Sequence, residues 1–319
     1  TQELQLLSQP DSPIQWIVGA YLLKDKSIFS AVFRGSLLPL GGQAQQYLTT
    51  QMKTKSYSGF AQATAEIMPR TNMTIGVRYT SDQRTFLGAQ RVAVPNGVSL
   101  AYTGIVGDRE TFSQLTGRFS LDYEVADDVM IYAAYNRGFK SGVYNLPGTG
   151  ITPVNPEELS AYSAGFKSQF ANNRVRLNGE VYYYDYKNIQ VVVQIPGSQQ
   201  LTNAGAAHIK GAEIDLTVVP VENLTVSAGV AITDGKYTKF PGGPYFLLQG
   251  LNGRSPVPAG CFTSAGVPVS QDPALYPTSP TAPSIQIACD LKGKKTLSTP
   301  PASISLTAAY RIPTAMGPF

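Results

Sequence analysis

The sequence predicts an all-β protein, an antiparallel transmembrane β-barrel of which about eleven strands lie in this chain. Three observations favour this fold class. Apolar and polar residues alternate with a period of two, short turns alternate with long connections, and no apolar run is long enough for a membrane helix. The composition agrees, because 30 glycines and 23 prolines in 319 residues are typical of many strands joined by turns.

Five segments carry the strand prediction most clearly. In chain order they are residues 73–80, 114–123, 129–135, 174–184 and 223–232. Four of them place aliphatic or aromatic residues on one face and charged or small residues on the other, whereas the segment beginning at Val129 is apolar on both faces and its sides stay open. In residues 174–184 the alternation predicts that Leu177 and Val181 face lipid. Asn178 and Tyr182 are then predicted to face the lumen.

The connections between predicted strands alternate in length. The short turns are residues 9–13, 68–71, 125–128, 171–173 and 220–223, and the longer segments are residues 24–54, 85–108, 141–156, 196–200 and 237–297. Each intervening strand reaches or exceeds the roughly 9 to 11 residues that a tilted strand needs to cross a bilayer. Trimmed turns on one side and long loops on the other are typical of an outer-membrane barrel.

A soluble β-sandwich or propeller would also give many alternating strands. Two features argue against it. Tyr79, Tyr123 and Tyr183 end the apolar faces, as in the aromatic girdles of membrane barrels, and the opposite faces carry charges suited to a wet, plugged lumen. Because a membrane does not tolerate open strand edges, an odd strand count predicts that further chain completes the barrel.

The residue inventory points away from enzymes and nucleic-acid binders. The net charge of +4 is too small to indicate nucleic acid, and no catalytic motif or paired helical carboxylates occur. We therefore predict no catalytic residues, no cofactor and no metal site. His208 is the single histidine, and we interpret it as a loop or lumen residue in preference to an iron ligand.

Several stretches resemble TonB-dependent outer-membrane receptors, especially the ferric-siderophore type. The strongest are VMIYAAYNRGFKSGVYN from Val129, NPEELSAYSAGFKSQF from Asn155, RVRLNGEVYYYDYKNIQV from Arg174 and LTNAGAAHIKGAEIDLTVVPVENLTVSAGVAITDGKY from Leu201. Weaker matches are QELQLLS, IQWIVGAYLL, FAQATAEIMPRTNMTIGVRYT and PPASISLTAAYRI. Each stretch alone is modest, but together they follow the order of the family over nearly the whole chain.

This resemblance implies a 22-stranded barrel closed by an N-terminal plug. Residues 1–319 would be the central part of the barrel domain, and the plug, the energy-coupling box and the terminal strands would lie outside them. The implied function is import of a scarce chelate, most simply a ferric siderophore, through the outer membrane of a Gram-negative bacterium. The implied partners are the chelate, the TonB complex and outer-membrane lipid. A passive porin, or TonB-dependent uptake of cobalamin or oligosaccharide, are the alternatives.

Three sets of residues follow as site predictions. Charges facing the plug are predicted at Arg78, Arg118, Arg176, Glu180, Glu213 and Asp215, where simple solvation of the lumen is the alternative. Ligand contacts at the extracellular rim are predicted at Arg84, Arg91, Arg109, Arg137, Lys140, Tyr144, Tyr186, Lys187 and Arg254, because arginine and tyrosine suit flat anionic chelates. Cys261 and Cys289 share one long connection in an oxidising compartment, so we predict a disulfide, with two free thiols as the alternative.

Overall fold

The computed structural model describes residues 1–34, 45–93, 99–145, 153–195, 198–250, 253–254, 261–262, 284–297 and 299–312. These residues form nineteen strands: β1 Gln2–Leu7, β2 Ile14–Arg34, β3 Gln45–Met68, β4 Thr71–Ala93, β5 Ser99–Ala126, β6 Val129–Lys140, β7 Val143–Tyr144, β8 Pro153–Val154, β9 Glu157–Phe170, β10 Val175–Lys187, β11 Gln190–Ile195, β12 Ser198–Asn203, β13 Ala206–Val218, β14 Leu224–Lys239, β15 Gly243–Gly250, β16 Gly253–Arg254, β17 Cys261–Phe262, β18 Ser284–Cys289 and β19 Ala302–Tyr310. No helix in these ranges is long and apolar enough to span a membrane.

Eleven strands form one sheet in the order β1-β2-β3-β4-β5-β6-β9-β10-β13-β14-β19. Every neighbouring pair is antiparallel, so each strand runs back beside the previous membrane-length strand. The predicted all-β class and the predicted count of eleven antiparallel strands are confirmed.

The remaining strands form small sheets in the long connections. β7 pairs with β8, β11 pairs with β12, and β15 to β18 form a four-stranded sheet in the order β16-β15-β18-β17. All three sheets lie in connections at the same end of the main sheet as the predicted long loops. This end is therefore elaborated, while the opposite end carries short turns.

The strand register separates the main sheet into two chemically different faces. One row of directly paired residues contains Ile131, Phe166, Gly179, Ile214, Val230 and Ile304. The next row on the same face contains Ala133, Ala164, Val181, Ala212, Ile232 and Ala302. We call this apolar surface the outer face and the opposite surface the inner face. Val181 is 58% exposed on the outer face, whereas Tyr182 is only 9% exposed on the inner face.

Aromatic side chains cap the outer face near its elaborated end. The rings of Tyr135 and Tyr162 lie 4.9 Å apart, those of Tyr162 and Tyr183 lie 6.3 Å apart, and the ring of His208 follows at 5.3 Å. Such a continuous belt is typical of the membrane–water interface, where an aromatic ring can place its polar edge in water.

Two predicted loops are wrong in extent. Residues 24–54 and 85–108 were predicted to be connections, but β2 continues to Arg34, β3 begins at Gln45, and β4 and β5 pair from Ala93 and Ser99. The alternation of hydrophobicity ends in these arms because both faces lie beyond the apolar band. Backbone hydrogen bonding continues without it, so the strands project as long hairpins. Residues 196–200 likewise include the tip of the β11–β12 hairpin.

The short turns are built from residues in the left-handed region. Arg70, Ala171, Asn172, Asn173 and Asn223 all have φ between 53° and 65°. Asparagine tolerates this conformation better than most residues, because its side chain hydrogen-bonds locally. These tight reversals fix the register of the strands that they join.

Candidate functional site at the mouth and inner wall

A group of side chains meets on the inner face of the projecting arms, where the barrel would open to the exterior. Asp82, Arg84 and Phe86 alternate along β4, Asp108 pairs across to Phe86 from β5, and Tyr144 comes from β7. We call these five residues the mouth cluster. They share the inner face because β4 continues the parity of the lumen residue Arg78 without a register shift up to Ala89.

Tyr144 connects the β7–β8 segment to the barrel wall. Its ring stacks on Phe86 at a centroid distance of 5.3 Å, and its hydroxyl donates a hydrogen bond to Asp108 at 2.9 Å. Both rings are almost fully buried. Burial, the hydrogen bond to Asp108 and the negative charge of that carboxylate all raise the pKa of Tyr144. The phenol therefore stays a neutral donor throughout the physiological pH range.

The mouth cluster also contains polar atoms with unused hydrogen-bonding capacity. The Arg84 guanidinium donates to Thr54 at 2.8 Å, but its Nε has no partner among the described residues. Within the same described ranges, one oxygen of the buried Asp82 carboxylate and the hydroxyls of Thr50 and Ser141 also lack partners. Buried polar groups are rarely left unpaired, so this surface is suited to a polar ligand or to further chain.

Amide side chains join two extracellular segments above the mouth. Asn145 donates to the Leu201 carbonyl at 2.8 Å and accepts from the Leu201 N–H at 2.6 Å, which imitates a β-bridge. Asn203 and Gln190 both donate to the Asn155 carbonyl, at 3.0 and 2.9 Å. The β7–β8 segment and the β11–β12 hairpin therefore form one hydrogen-bonded unit.

Replacing Asn145 by alanine should loosen this unit. Both bonds to Leu201 are lost, and leaving a partly buried backbone group unpaired costs about 1 to 3 kcal/mol. Hydrogen exchange in the full-length protein should accelerate at Leu201 and its neighbours in β12. Asn145→Asp is the matched control, because it keeps the acceptor for the Leu201 N–H and should show a smaller change. Unchanged exchange in both variants would contradict the interlock.

The inner wall below the mouth combines arginine with aromatic rings. The guanidinium of Arg78 lies 5.5 Å from the ring centre of Tyr21 and 5.2 Å from that of Phe60, and it donates to Ser58 at 2.5 Å. Tyr182 hydrogen-bonds Thr233 at 2.9 Å and stacks on Tyr184. The wall is therefore polar and ordered by its own side chains.

Acidic residues meet across strands on the same wall. Glu180 is directly paired with Glu213, and Tyr132 donates a hydrogen bond to Glu180. Like charges directly opposite on paired strands repel, so this position favours a cationic partner in the lumen. Arg118 and Asp215 lie on the inner face as well, and the four charged residues named here form no ion pair within the part of the chain that the structure describes.

The structure brings some predicted rim residues together and separates others. Arg84 and Tyr144 meet in the mouth cluster, whereas Arg109 pairs with Thr85 on the outer face. Tyr186 packs beside the buried rings of Tyr237 and Phe240. Of the others, Arg137 forms an ion pair with Glu158 at 2.9 Å, Lys140 and Lys187 are exposed at the ends of β6 and β10, and the side chains of Arg91 and Arg254 lie outside the described residues.

The predicted plug-facing set shares one face. Arg78, Arg118, Arg176, Glu180, Glu213 and Asp215 all occupy inner-face positions of the sheet. Their role toward a plug is a matter for proposal. His208 lies in β13 on the outer face, 3.4 Å from Asp185, and not in a loop or the lumen. The described ranges contain no group of three or more metal-ligating side chains.

The two cysteines are joined in the elaborated end. Cys261 of β17 pairs with Cys289 of β18, and their sulfurs form a disulfide. Both residues are buried. The bridge ties the ends of a connection of sequence separation 28 within the four-stranded sheet.

Sequence reasoning missed Asp82, Phe86 and Asp108, the latching amides Asn145 and Asn203, and the packing of Tyr144. A usable signal existed for two of them. Asp82 and Phe86 continue the even-numbered inner face that begins at Arg78, so extending the alternation past residue 85 would have placed them.

Comparisons with known proteins agree on the architecture. A family model described as "TonB dependent receptor-like, beta-barrel" matches residues 11–316. A pesticin receptor of Yersinia enterocolitica is 24% identical over 220 residues, covering 67% of this chain and 30% of the relative. A pesticin receptor of Yersinia pestis is 30% identical over 105 residues, covering 32% of this chain and 15% of the relative.

Two solved structures show the same fold at low identity. The ferric yersiniabactin uptake receptor FyuA of Yersinia pestis matches with a TM-score of 0.60 and 18% identity, covering 79% of this chain and 40% of that one. The siderophore receptor PiuA of Acinetobacter baumannii matches with a TM-score of 0.60 and 15% identity, covering 96% of this chain and 43% of that one. The chain thus spans less than half the length of the relatives and structures that it matches.

The fold and the family match answer the question of class together. The apolar outer face, the polar inner face and the eleven antiparallel strands are those of an outer-membrane barrel, and the family model covers almost all of them. Members of this family are transport receptors in the outer membrane of Gram-negative bacteria. This chain belongs to the TonB-dependent receptor β-barrel family.

Proposed function

We propose that the full-length protein imports a ferric siderophore, or a similar scarce chelate, with energy supplied through TonB. The mouth cluster is the observation that carries the proposal. Arg84 supplies fixed positive charge, Phe86 and Tyr144 supply aromatic faces, and several polar atoms beside them have unused hydrogen-bonding capacity. A flat anionic chelate is the class of ligand that such a surface suits.

The inner wall supports gated transport over free diffusion. A barrel of this family without a plug would leak, and the lumen charges offer a plug something to bind. We propose that Glu180 and Glu213 pair with cationic groups of a plug, and that Arg118, Arg176, Arg78 and Asp215 contact it as well. Wet polar contacts exchange readily with water, so they would hold a plug at rest and release it under force.

The relatives agree with a transport role for the full-length protein. The curated relatives are pesticin receptors, and two solved neighbours are named for siderophore uptake or reception. Their identities are low, so they support the fold and the family more than the cargo. We propose further that the protein performs no bond chemistry on its cargo, as expected of a receptor.

The cargo can be tested by growth. A strain lacking the gene would be grown under iron limitation with ferric catecholates or ferric hydroxamates, and in separate media with cobalamin or oligosaccharides as the limiting nutrient. The proposal expects the full-length protein to restore growth on at least one ferric chelate. Restoration only by cobalamin or a sugar would overturn the cargo.

The mouth cluster can be tested in the same strain. Arg84→Gln removes the fixed charge while keeping a polar side chain of similar reach, so uptake at low chelate concentration should fall about tenfold, as expected for loss of one charge-assisted contact. Arg174→Gln, at an exposed periplasmic turn, is the matched control and should transport normally. Equal uptake by both variants would show that the mouth cluster does not bind the cargo.

A further inference from the structure

Four lysines form a compact group on the outer face of β2 and β3. The register pairs Lys24 directly with Lys55 and Lys26 directly with Lys53. All four side chains are exposed. They share the outer face with Leu22 and its partner Tyr57, because each lysine lies an even number of residues from one of these two.

Arg109 extends this group by two strands. Lys53 pairs with Thr85 of β4, and Thr85 pairs with Arg109 of β5, so Lys26, Lys53 and Arg109 lie in one row across four strands. The row beneath it contains Lys24, Lys55, Gln83 and Thr111. We call Lys24, Lys26, Lys53, Lys55 and Arg109 the outer basic patch.

No carboxylate balances the outer basic patch. The acidic residues in the described parts of β2 to β5 are Asp25, Glu66, Asp82, Asp108, Glu110, Asp122 and Glu124, and the register places all of them on the inner face. Within those same strands, none of the five basic residues forms an ion pair. Since directly opposed like charges destabilise a strand pair, the two lysine pairs require an anion from outside the chain.

The patch lies at the depth of lipid headgroups. The apolar outer face of β2 runs from Ile14 to Leu22, which at about 3.3 Å per residue and a tilt of ~40° covers about 20 Å of membrane. On the same scale Lys24 lies about 5 Å beyond that band and Lys26 about 10 Å beyond it. The headgroup layer of a bilayer leaflet occupies this interval, and lysine side chains reach a few ångströms further.

We propose that the outer basic patch binds the phosphate groups of a phosphorylated lipid in the outer leaflet. Ammonium groups recognise phosphate as point charges, and four of them on two paired strands match a headgroup that carries more than one phosphate. The neighbouring apolar band holds the acyl chains of the same lipid. The site serves to anchor and orient the barrel wall, and it does not depend on which cargo the protein carries.

The test uses the full-length protein, delipidated in dodecyl maltoside and titrated with diphosphoryl lipid A while bound lipid is counted by native mass spectrometry. Lys24→Gln/Lys55→Gln should weaken binding about 30-fold, because each lysine near an anionic surface contributes roughly fivefold. Lys167→Gln/Arg176→Gln removes two positive charges from the inner face and should leave lipid binding unchanged. Equal binding by the patch variant and the parent, or equal loss in both variants, would overturn the proposal.

Stability and competition separate this site from a folding defect and from a site for soluble anions. In lipid-free detergent the patch variant should melt at or above the temperature of the parent, because a repulsive pair has been removed. Only the parent should be stabilised further by diphosphoryl lipid A. Sodium pyrophosphate at the same concentration should not displace the lipid, and displacement at equal concentration would overturn the assignment to a lipid.

Discussion

Val181→Arg is expected to block assembly of the barrel. Val181 is 58% exposed on the outer face, in a row with Ala164 and Ala212 inside the apolar band. A charged side chain near the middle of the lipid-facing band costs about 2 to 4 kcal/mol. This cost is a large fraction of the stability of a typical domain, so we expect little folded protein in the outer membrane.

Inner-face variants of the same strand supply the comparison. Asn178→Arg places the same charge in the wet lumen and should be tolerated. Tyr182→Arg should have an intermediate effect, because it loses the stacking on Tyr184 and the hydrogen bond to Thr233 but keeps the charge away from lipid. Heat-modifiable mobility of the full-length protein in gels would report folding. Equal folding of Val181→Arg and Asn178→Arg would show that the two faces are misassigned.

Removal of the disulfide is expected to open the elaborated end locally without unfolding the barrel. With a sequence separation of 28 between Cys261 and Cys289, the chain-entropy model gives the bridge about 3 to 4 kcal/mol. The double variant Cys261→Ser/Cys289→Ser should therefore raise the population of the open connection by roughly two to three orders of magnitude.

Limited proteolysis of the full-length protein would measure this change. Cleavage between the two cysteines should become fast in the double variant, while the fragments from the membrane-spanning strands stay intact. The native protein treated with a reductant should behave in the same way, and the reductant should have no further effect on the variant. Cleavage at the native rate in the unreduced double variant would show that the bridge does not order this connection.

Sequence alternation predicted the barrel well where one face lies in lipid. The period of two in residues 174–184 and 223–232 reflects a strong difference between lipid and lumen, so the strands that contain Val181 and Val230 were located correctly. Beyond the membrane this difference disappears. The arms of β2 to β5 were therefore taken for loops, although the parity of Asp82, Arg84 and Phe86 continued through them.

The mouth cluster required tertiary information. Tyr144 reaches Phe86 and Asp108 only because the β7–β8 segment folds onto the inner wall, and no local pattern near Tyr144 predicts that path. The outer position of Arg109 had the opposite cause. Its type suited a ligand contact, but its register with Thr85 sets the face on which it lies.

The central claim is that this chain forms part of the wall of an energised importer for a ferric chelate. The most direct measurement is uptake of radiolabelled iron by cells that express the full-length protein, with the chelate that supports growth, in otherwise identical strains with and without TonB. We predict that the chelate binds to both strains at the cell surface, whereas iron accumulates only in the strain with TonB and only while the proton gradient is maintained. Equal accumulation in both strains would contradict the claim and would indicate a passive pore.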